Sequence, residues 1–313
     1  MNTMIELTVQ LLILATSLVV LAAASHFTIK SVERLIELTG LSEISAGFVI
    51  LAVLTSTPEI IVAVFSVLDG TPGISIGDII GSNVFNVGAV LGILGMLGYL
   101  KTCCTDLLVE LTDILLVTSL IPLLLVIFKV VSPIVGAILL GTFIISIYFM
   151  ARRRISIVNV DKSATVEKKS KKIVVATLFL SFIGVMIAAR LVVSSAVNIA
   201  FTVGVPPILI GAKVVSIGTS LPELTLDLAA VRRGRVHLAI GDIIGSNLTN
   251  LTLVLGMVLL TSPFAIDVTI FTEILPFLLI TTIIFWRFLT KGGVSQVGGV
   301  VLIMTYILFQ AII

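Results

Sequence analysis

Charged residues are scarce in this chain. Asp, Glu, Lys and Arg together supply 12% of the 313 residues, whereas 58% are hydrophobic. The mean hydropathy is +1.28. A soluble domain of this size could not bury that much apolar surface, because its exterior would require far more charge. The composition therefore excludes a soluble globular protein and predicts a protein that crosses the membrane several times.

Cysteine and histidine are also rare. The two cysteines, Cys103 and Cys104, are adjacent, and His26 and His237 lie far apart in the sequence. Such spacing suits neither a disulfide framework nor a cysteine–histidine metal site. The sequence contains no HExxH signature and no nucleophile–base arrangement. We therefore expect the protein not to be an enzyme, to carry no cofactor and to bind no nucleic acid.

Long apolar runs fill most of the chain. A hydrocarbon core about 30 Å thick requires roughly 20 helical residues. Ten segments fit, near residues 6–30, 44–68, 76–98, 106–128, 131–151, 173–197, 206–231, 237–261, 265–287 and 293–312. The predicted fold class is an all-α polytopic membrane protein with ten transmembrane helices.

Two stretches of the chain are near-copies of each other. Residues 52–86 align without a gap with residues 216–250, which lie 164 positions later, and 15 of the 35 positions are identical. Each copy reads Thr-Ser-x-Pro-Glu and then Gly-Asp-Ile-Ile-Gly-Ser-Asn-x-x-Asn. The constant offset gives each half five spans, so the second copy must enter the membrane from the opposite side. The sequence therefore predicts two inverted five-helix repeats, as in many secondary transporters.

The distribution of basic residues agrees with inversion. With the N-terminus outside, all but three of the 19 Lys and Arg residues lie on the inner side, as the positive-inside rule requires. The loop at 69–73 contains no basic residue, whereas its counterpart at 232–235 contains three. Residues 151–172 form a polar linker with eight basic residues. We expect this linker to be cytoplasmic.

These observations predict the organisation of the whole chain. Residues 1–150 form the first repeat, 151–172 the basic cytoplasmic linker and 173–313 the second repeat. Both termini are expected outside the cell membrane. The expected partners are membrane lipid and transported ions, and we expect the protein to function as a monomer.

Each copy carries one glutamate within an apolar run, Glu59 and Glu223. Proline removes a backbone hydrogen bond, so Pro58 and Pro222 are expected to break their helices just before these glutamates. The Gly- and Asn-rich block that follows each glutamate is expected to interrupt the next span. Carboxylates within hydrocarbon are costly and indicate function. The surrounding hydroxyl, amide and carbonyl oxygens favour hard cations such as calcium and sodium.

The residues alone leave the transported ions open. A divalent cation, several monovalent cations or protons would each neutralise two buried carboxylates. Calcium/sodium exchange and calcium/proton exchange are therefore both compatible with the motif, although the many hydroxyls favour sodium. A passive channel is a third alternative, but inverted broken helices around a buried centre argue against an open pore.

The paired motifs resemble the two α-repeats of the calcium/cation antiporter superfamily, in particular prokaryotic-type sodium/calcium exchangers. The resemblance is strongest over 52–92 and 216–256. It implies a secondary active antiporter that exchanges Ca²⁺ for Na⁺ by alternating access, with the first and sixth spans sliding against the others. It also implies that Glu59 and Glu223 bind calcium, together with the backbone carbonyls of Thr55 and Thr219.

The resemblance further implies sodium sites on either side of the calcium position. One site would use Ala52, Thr55, Ser56, Glu59 and Ser82, and the other Ser216, Thr219, Ser220, Glu223 and Ser246. Asn86 and Asn250 would flank the central position. Potassium-dependent members of the family have aspartate at the position of Asn250, so asparagine there lowers the expectation of potassium co-transport.

Three aspartates near the motif are candidate modulators. Asp78 and Asp242 are expected at helix ends in the ion pathway rather than as direct ligands. Asp227 follows Glu223 by one helical turn and shares a similar face with it. We expect Asp227 to line the cytoplasmic route to the centre.

Two basic residues lie on the predicted outer side of the membrane. Lys213 has Val49 as its counterpart in the first copy, and we expect it to extend its charge to the outer interface. The alternative is a fixed cation that modulates or replaces a bound ion. Arg190 is expected either to pair with a lipid phosphate or to extend to the interface.

Overall fold

The computed structural model describes residues 2–39, 44, 46–103, 105–123, 133–152, 168–261 and 268–313. The regular secondary structure of these residues is entirely helical, which confirms the all-α class. Six helical stretches are long and apolar enough to cross a membrane, namely residues 5–28, 72–96, 173–200, 207–232, 236–261 and 273–290. Shorter apolar helices cover 52–68, 133–149 and 296–312. The chain is an integral membrane protein, and the number of ten spans stays a prediction.

The helices of the first half follow the predicted apolar segments. They are α1 (Asn2–Thr39), α2 (Ala52–Thr55), α3 (Thr57–Leu68), α4 (Pro72–Phe85), α5 (Gly92–Met96), α6 (Asp106–Ser119) and α7 (Pro133–Arg152). A π-helical turn, Ala46–Leu51, precedes α2, and another, Asn86–Leu91, joins α4 to α5. Most of the predicted linker, 153–167, lies outside the described residues.

Among the described residues, the second half repeats this order with one additional short helix, α9, before its first π-helical turn. Its helices are α8 (Lys168–Val203), α9 (Pro207–Ile210), α10 (Ser216–Thr219), α11 (Leu221–Arg232), α12 (Val236–Thr249), α13 (Leu255–Thr261), α14 (Val268–Thr290) and α15 (Gln296–Ile312). The π-helical turns are Gly211–Val215, before α10, and Asn250–Val254, after α12. Both π-helical turns around each motif thus recur at equivalent positions in the two halves.

Each motif breaks its helix at the serine before the proline. Ser56 separates α2 from α3 with φ −76° and ψ 3°, and Ser220 separates α10 from α11 with φ −93° and ψ 5°. Pro58 and Pro222 then lie in the first turn of the new helix, where a missing N–H leaves no bond unmade. The predicted break before each glutamate is confirmed.

The expected interruption within the second block is wrong. Residues 77–85 belong to the regular helix α4, and the helix changes to π geometry only at Asn86. The glycines of this block allow helices to approach closely rather than break. An ideal Cβ on Gly77 would lie 1.9 Å from the carbonyl oxygen of Ile208, and one on Gly81 would lie 2.3 Å from that of Ala212.

The two halves pack into each other through these glycines. Because Gly77 faces Ile208 and Gly81 faces Ala212, α4 runs parallel to the segment 207–219. The reciprocal contacts are those of Gly241 with Ile44 and of Gly245 with Phe48. By the same reasoning, α12 runs parallel to the segment 46–55. Each motif is therefore framed by helices from both halves of the chain.

The long helices α1 and α8 pack along each other. Their apolar residues, including Leu14, Leu21, Val185 and Val192, form a cluster distinct from the main core around the motifs. The Thr28 hydroxyl of α1 donates a hydrogen bond of 2.8 Å to Ser181 of α8. α1 also approaches the second motif closely, because an ideal Cβ on Gly218 would lie 2.0 Å from the Leu18 side chain.

Candidate ion-binding site

The two glutamates lie at equivalent helix starts in the middle of the fold. Glu59 is in the first turn of α3 and Glu223 in the first turn of α11, and both are 0% exposed. A negative charge in the first turn of a helix is stabilised by the unpaired N–H groups there. The helix breaks therefore expose positive helix ends to both carboxylates and help to hold them in the apolar interior.

The two halves exchange threonine–aspartate hydrogen bonds. The Thr55 hydroxyl donates to Asp242 Oδ1 at 3.2 Å, and the Thr219 hydroxyl donates to Asp78 Oδ1 at 2.9 Å. Each threonine also meets a serine of the other half, Ser246 at 2.9 Å for Thr55 and Ser82 at 3.3 Å for Thr219. All of these side chains are buried. The threonine at the start of each motif is thus bonded to the helix of the other copy.

Four asparagines connect the copies in the same reciprocal way. Asn83 Nδ2 donates to the Asn247 carbonyl at 3.3 Å, and Asn247 Nδ2 donates to the Asn83 carbonyl at 3.4 Å. Asn86 Nδ2 donates to Asn247 Oδ1 at 3.1 Å, and Asn250 Nδ2 donates to Asn83 Oδ1 at 3.2 Å. The amide hydrogens are therefore engaged within the quartet, and the oxygens Oδ1 of Asn86 and Asn250 have no partner.

Several further buried oxygens at this centre have no hydrogen-bond partner. They are Glu59 Oε2, both carboxylate oxygens of Glu223, and Ser56 Oγ. A buried polar atom without a partner is costly, and a buried carboxylate is more so. Together with the two asparagine oxygens, these atoms form an oxygen-only set that suits a hard cation. The unmet bonding capacity is concentrated where the sequence predicts the ion site.

Among the described residues, a cation site at this centre can use at most two carboxylates as ligands. Within the described residues, no three side chains of His, Cys, Asp or Glu gather closely enough to hold a metal ion. Any cation at the centre would depend on neutral oxygens for its remaining ligands. Hydroxyls and amide oxygens provide these, since Thr219, Ser220 and Ser82 all face the Glu59 carboxylate.

The two glutamates differ in their contacts. The Ser220 hydroxyl donates to Glu59 Oε1 at 3.3 Å, but the equivalent Ser56 hydroxyl has no partner and neither oxygen of Glu223 accepts a hydrogen bond. Glu59 is therefore held by a residue of the other half, whereas Glu223 is not. The centre is symmetric in its residues but asymmetric in its hydrogen bonds.

The remaining predicted sodium-site residues are buried beside this centre. Ala52 is fully buried, and an ideal Cβ on Gly245 would lie 2.6 Å from its methyl group. The Ser216 hydroxyl donates to the Ala212 carbonyl of its own helix at 2.6 Å. The structure thus brings together the predicted hydroxyls of Thr55 with Ser246 and of Thr219 with Ser82, while Ser216 stays bonded within its own helix.

The expectation that Asp78 and Asp242 lie at helix ends is wrong. Both lie in the middle of their helices, α4 and α12, and both are buried. The glycines of each helix bring its middle against the other half of the chain, which places both aspartates at that interface. The aspartates accept hydrogen bonds from Thr55 and Thr219, so they are part of the framework that holds the centre.

Arg190 has a protein partner. Its guanidinium forms an ion pair with Asp69, at the end of α3, and lies 5.2 Å from the centre of the Phe65 ring. The expectation that it snorkels or pairs with lipid phosphate omitted this contact between α8 and α3. Lys213 is half-buried and donates to the Gln310 carbonyl at 3.1 Å, in the last turn of α15. A cation at a helix C-terminus is favourable.

Sequence reasoning gave no role to Asn83 and Asn247. Both belong to the duplicated block, and that duplication was the available signal, because residues identical in both copies are candidates for contacts between the copies. The Asp69–Arg190 pair carried no such signal, since the two residues lie 121 positions apart and neither belongs to the repeated motif.

Comparison with known proteins agrees with this geometry. A family model described as sodium/calcium exchanger protein matches residues 9–152 and 173–313. The chain belongs to the sodium/calcium exchanger family. Membership of this family makes it a membrane transporter. The unmatched residues between the two ranges coincide with most of the predicted linker.

Individual proteins are similar to this chain over most or nearly all of its length. The sodium/calcium exchanger MaX1 of Methanosarcina acetivorans is 27% identical over 98% of this chain and 99% of its own length. The inner membrane protein YrbG of Escherichia coli is 29% identical over 79% of this chain and 80% of its own. A structure of the sodium-calcium exchanger NCX_Mj has a TM-score of 0.69 and 26% identity, with 98% of this chain and 99% of that chain covered.

Proposed function

We propose that this protein exchanges Ca²⁺ for Na⁺ across the membrane, by alternating access at a central site built on Glu59 and Glu223. The observation that carries the proposal is the set of buried oxygens without partners at the meeting point of the two halves, on Glu59, Glu223, Asn86 and Asn250. Membership of the sodium/calcium exchanger family supports the choice of ions.

The ligand roles follow from charge and position. Calcium would bind between the two glutamates with the backbone carbonyls of Thr55 and Thr219, because a divalent cation neutralises both carboxylates at once. Sodium would bind on either side, where hydroxyls adjoin each carboxylate. Those two sets are Ala52, Thr55, Ser56, Glu59 and Ser82, and Ser216, Thr219, Ser220, Glu223 and Ser246. Because the sets share the glutamates with calcium, the two ions compete, which is the basis of exchange.

An inverted repeat is supported by helix directions. The turn at 69–71 reverses the chain, so α3 and α4 run antiparallel. α4 in turn runs parallel to 207–219, the counterpart of 43–55. Hydrogen bonds from Ser56 N to Ala52 O and from Ile60 N to Ser56 O carry one helix direction through the break. The equivalent segments of the two halves thus run in opposite directions, as two five-helix repeats at 1–150 and 173–313 require.

The orientation in the membrane rests on charge. With ten spans, the basic linker 151–172 and the basic turn at 232–235 would both be cytoplasmic, and both termini would lie outside the cell membrane. The turn at 69–71, which carries Asp69 and no basic residue, would face outward. We expect the single chain to contain one complete transport unit.

Transport by the purified protein in lipid vesicles tests the proposal. Vesicles loaded with sodium and diluted into sodium-free buffer should take up radiolabelled calcium, and removal of the sodium gradient should abolish the uptake. A pH gradient at equal sodium concentrations should not replace the sodium gradient. Uptake that ignores sodium but follows the pH gradient would instead assign calcium/proton exchange, and calcium flux without any counter-ion dependence would assign a channel.

A further inference from the structure

One buried carboxylate has no counterpart in the other half. Asp227, in α11, corresponds to Ala63 of α3 in the 164-residue offset. Asp227 is 0% exposed, and neither of its carboxylate oxygens has a hydrogen-bond partner. The predicted calcium and sodium sites leave this residue out. The second half therefore holds a further buried carboxyl group without a partner, at a position where the first half has alanine.

Asp227 faces another aspartate. Its carboxyl group lies beside that of Asp242 on α12, the helix against which α11 packs. Asp242 Oδ1 accepts hydrogen bonds from Thr55 at 3.2 Å and from Ser246 at 3.5 Å, whereas its Oδ2 has no partner. Within the described residues, no hydrogen-bond donor reaches either oxygen of Asp227 or the Oδ2 of Asp242. In the first half, Asp78 has a free Oδ2 as well, but the position on α3 that corresponds to Asp227 is Ala63.

The pair lies to one side of the central site. Asp227 follows Glu223 by four residues on α11, and Asp242 precedes Ser246 by four residues on α12. Four residues advance a helix by about 6 Å. α11 and α12 are joined by the basic turn at 232–235, and both steps lead towards that turn. The two aspartates thus lie between the central site and the turn that we expect to face the cytoplasm.

We propose that Asp227 and Asp242 bind a hard cation in a second site, one helical turn from the central site towards the basic turn. Two carboxylates with several free oxygens, and the neighbouring hydroxyls of Thr55 and Ser246, form a donor set without nitrogen or sulfur, which suits calcium or sodium. The bound cation supplies the positive partner that two adjacent buried carboxylates otherwise lack. The location as a step on the transport route rests on the proposed function, whereas the binding itself does not.

The site can be separated from the centre by variants that remove the central carboxylates. In the Glu59→Gln/Glu223→Gln double variant, purified in detergent, equilibrium binding of radiolabelled calcium and of radiolabelled sodium is measured separately. We expect about one ion per chain to remain bound in one of the two experiments, as two carboxylates suffice for a weak oxygen site. The two ions identify which hard cation the pair selects. Binding of neither ion overturns the proposal.

A third change then assigns the remaining ion to the aspartates. Adding Asp227→Ala to the double variant introduces the residue found in the first half and should abolish the remaining binding. Adding Asp227→Glu, which keeps a carboxylate, should preserve measurable binding. Remaining binding that is unaffected by Asp227→Ala contradicts the assignment. If the triple variant fails to fold, the result for the double variant alone still decides whether a second ion binds.

The same experiments distinguish this inference from the proposed function. If vesicles show sodium-dependent calcium uptake but the double variant binds no ion, the second site is wrong and the exchanger stands. If the double variant binds an ion through Asp227 but vesicles show no exchange, the proposed function is wrong and the cation site stands. Ala63→Asp in the double variant, which adds the missing carboxylate opposite Asp78, should raise the bound stoichiometry if a carboxylate pair at this position suffices.

Discussion

The two copies of the repeated motif make largely the same contacts with each other, apart from the Ser220–Glu59 bond, and different contacts with their surroundings. Thr55 and Thr219 each bond an aspartate of the other copy, and Asn83 and Asn247 bond each other's backbone. Away from this interface the copies diverge. Ala63 occupies the position in the first copy that corresponds to Asp227 in the second. The turn that follows the glutamate helix is acidic in the first copy and basic in the second.

This difference separates two kinds of requirement. A contact that both copies make must be complementary to itself, so its residues are identical in both halves. A residue that acts on one side of the membrane has no such constraint and is free to differ. The identical residues therefore form the contacts at the shared centre, and the differing residues make the two sides chemically different.

The largest expected effect comes from the two glutamates. Glu59→Gln and Glu223→Gln each remove a buried charge that the bound ions require, so each should lower sodium-dependent calcium uptake by on the order of 100-fold or more. Both variants should still insert and elute as a single species in size-exclusion chromatography. Uptake at the wild-type rate in either variant would show that the halves do not contribute equally to the centre.

The glycine contacts predict a difference between the halves. An ideal Cβ lies 1.9 Å from a backbone oxygen at Gly77 but 3.1 Å from one at its counterpart Gly241. Overpacking typically costs about 1–3 kcal/mol, so Gly77→Ala should reach or exceed the top of that range and Gly241→Ala the bottom. Thermal unfolding in detergent measures both. Gly141→Ala is the control, since nothing lies within 4 Å of its Cβ, and equal losses at Gly77 and Gly241 would contradict the packing.

The threonine–aspartate bonds predict equality instead. Thr55→Val and Thr219→Val keep the shape of the side chain but leave a buried carboxylate oxygen with one donor fewer. Each should destabilise the protein by about 1–2 kcal/mol, seen as a lower midpoint of thermal unfolding. Thr16→Val is a matched control, because that exposed hydroxyl bonds only its own helix. A loss confined to one of the two threonines would mean that the reciprocal contacts are not equivalent.

The smallest effect is expected at the Arg190–Asp69 pair. Both side chains are partly exposed, 46% and 23% respectively, and such ion pairs contribute about 0–1 kcal/mol. Asp69→Asn should therefore lower the unfolding midpoint only slightly, and the difference from wild type should shrink at high salt because exposed charges are screened. Arg190→Lys keeps the charge and is the companion variant. A large, salt-independent loss would mean that this contact between α8 and α3 supports the fold more than its exposure suggests.

Features encoded locally could be predicted from the sequence. Proline explains the helix breaks before Glu59 and Glu223, and apolar length explains the all-α membrane fold. Features that depend on contacts between the halves could not be predicted in detail. Asp78 and Asp242 were expected at helix ends because nothing nearby in sequence identifies a partner, and their partners lie 141 and 187 positions away.

The role of the motif glycines was misjudged for the same reason. Glycine is compatible with both a helix break and a close helix–helix contact, and only the neighbouring helix decides between them. The π-helical turns at Asn86 and Asn250 likewise have no local sequence signal that would separate them from regular helix. The residues of the candidate site could be proposed from the sequence, whereas the hydrogen bonds among them could be seen only in the structure.

The proposed exchange requires both ions to compete for one centre at which the two halves meet. This competition is measured as the displacement of radiolabelled calcium by sodium at equilibrium on the purified protein. In the Asp227→Ala variant, which lacks the second site, sodium should displace the bound calcium, and adding Glu59→Gln or Glu223→Gln should abolish the displaceable calcium. Calcium that stays bound to Asp227→Ala at saturating sodium, or displaceable calcium that survives either added substitution, would contradict a shared centre.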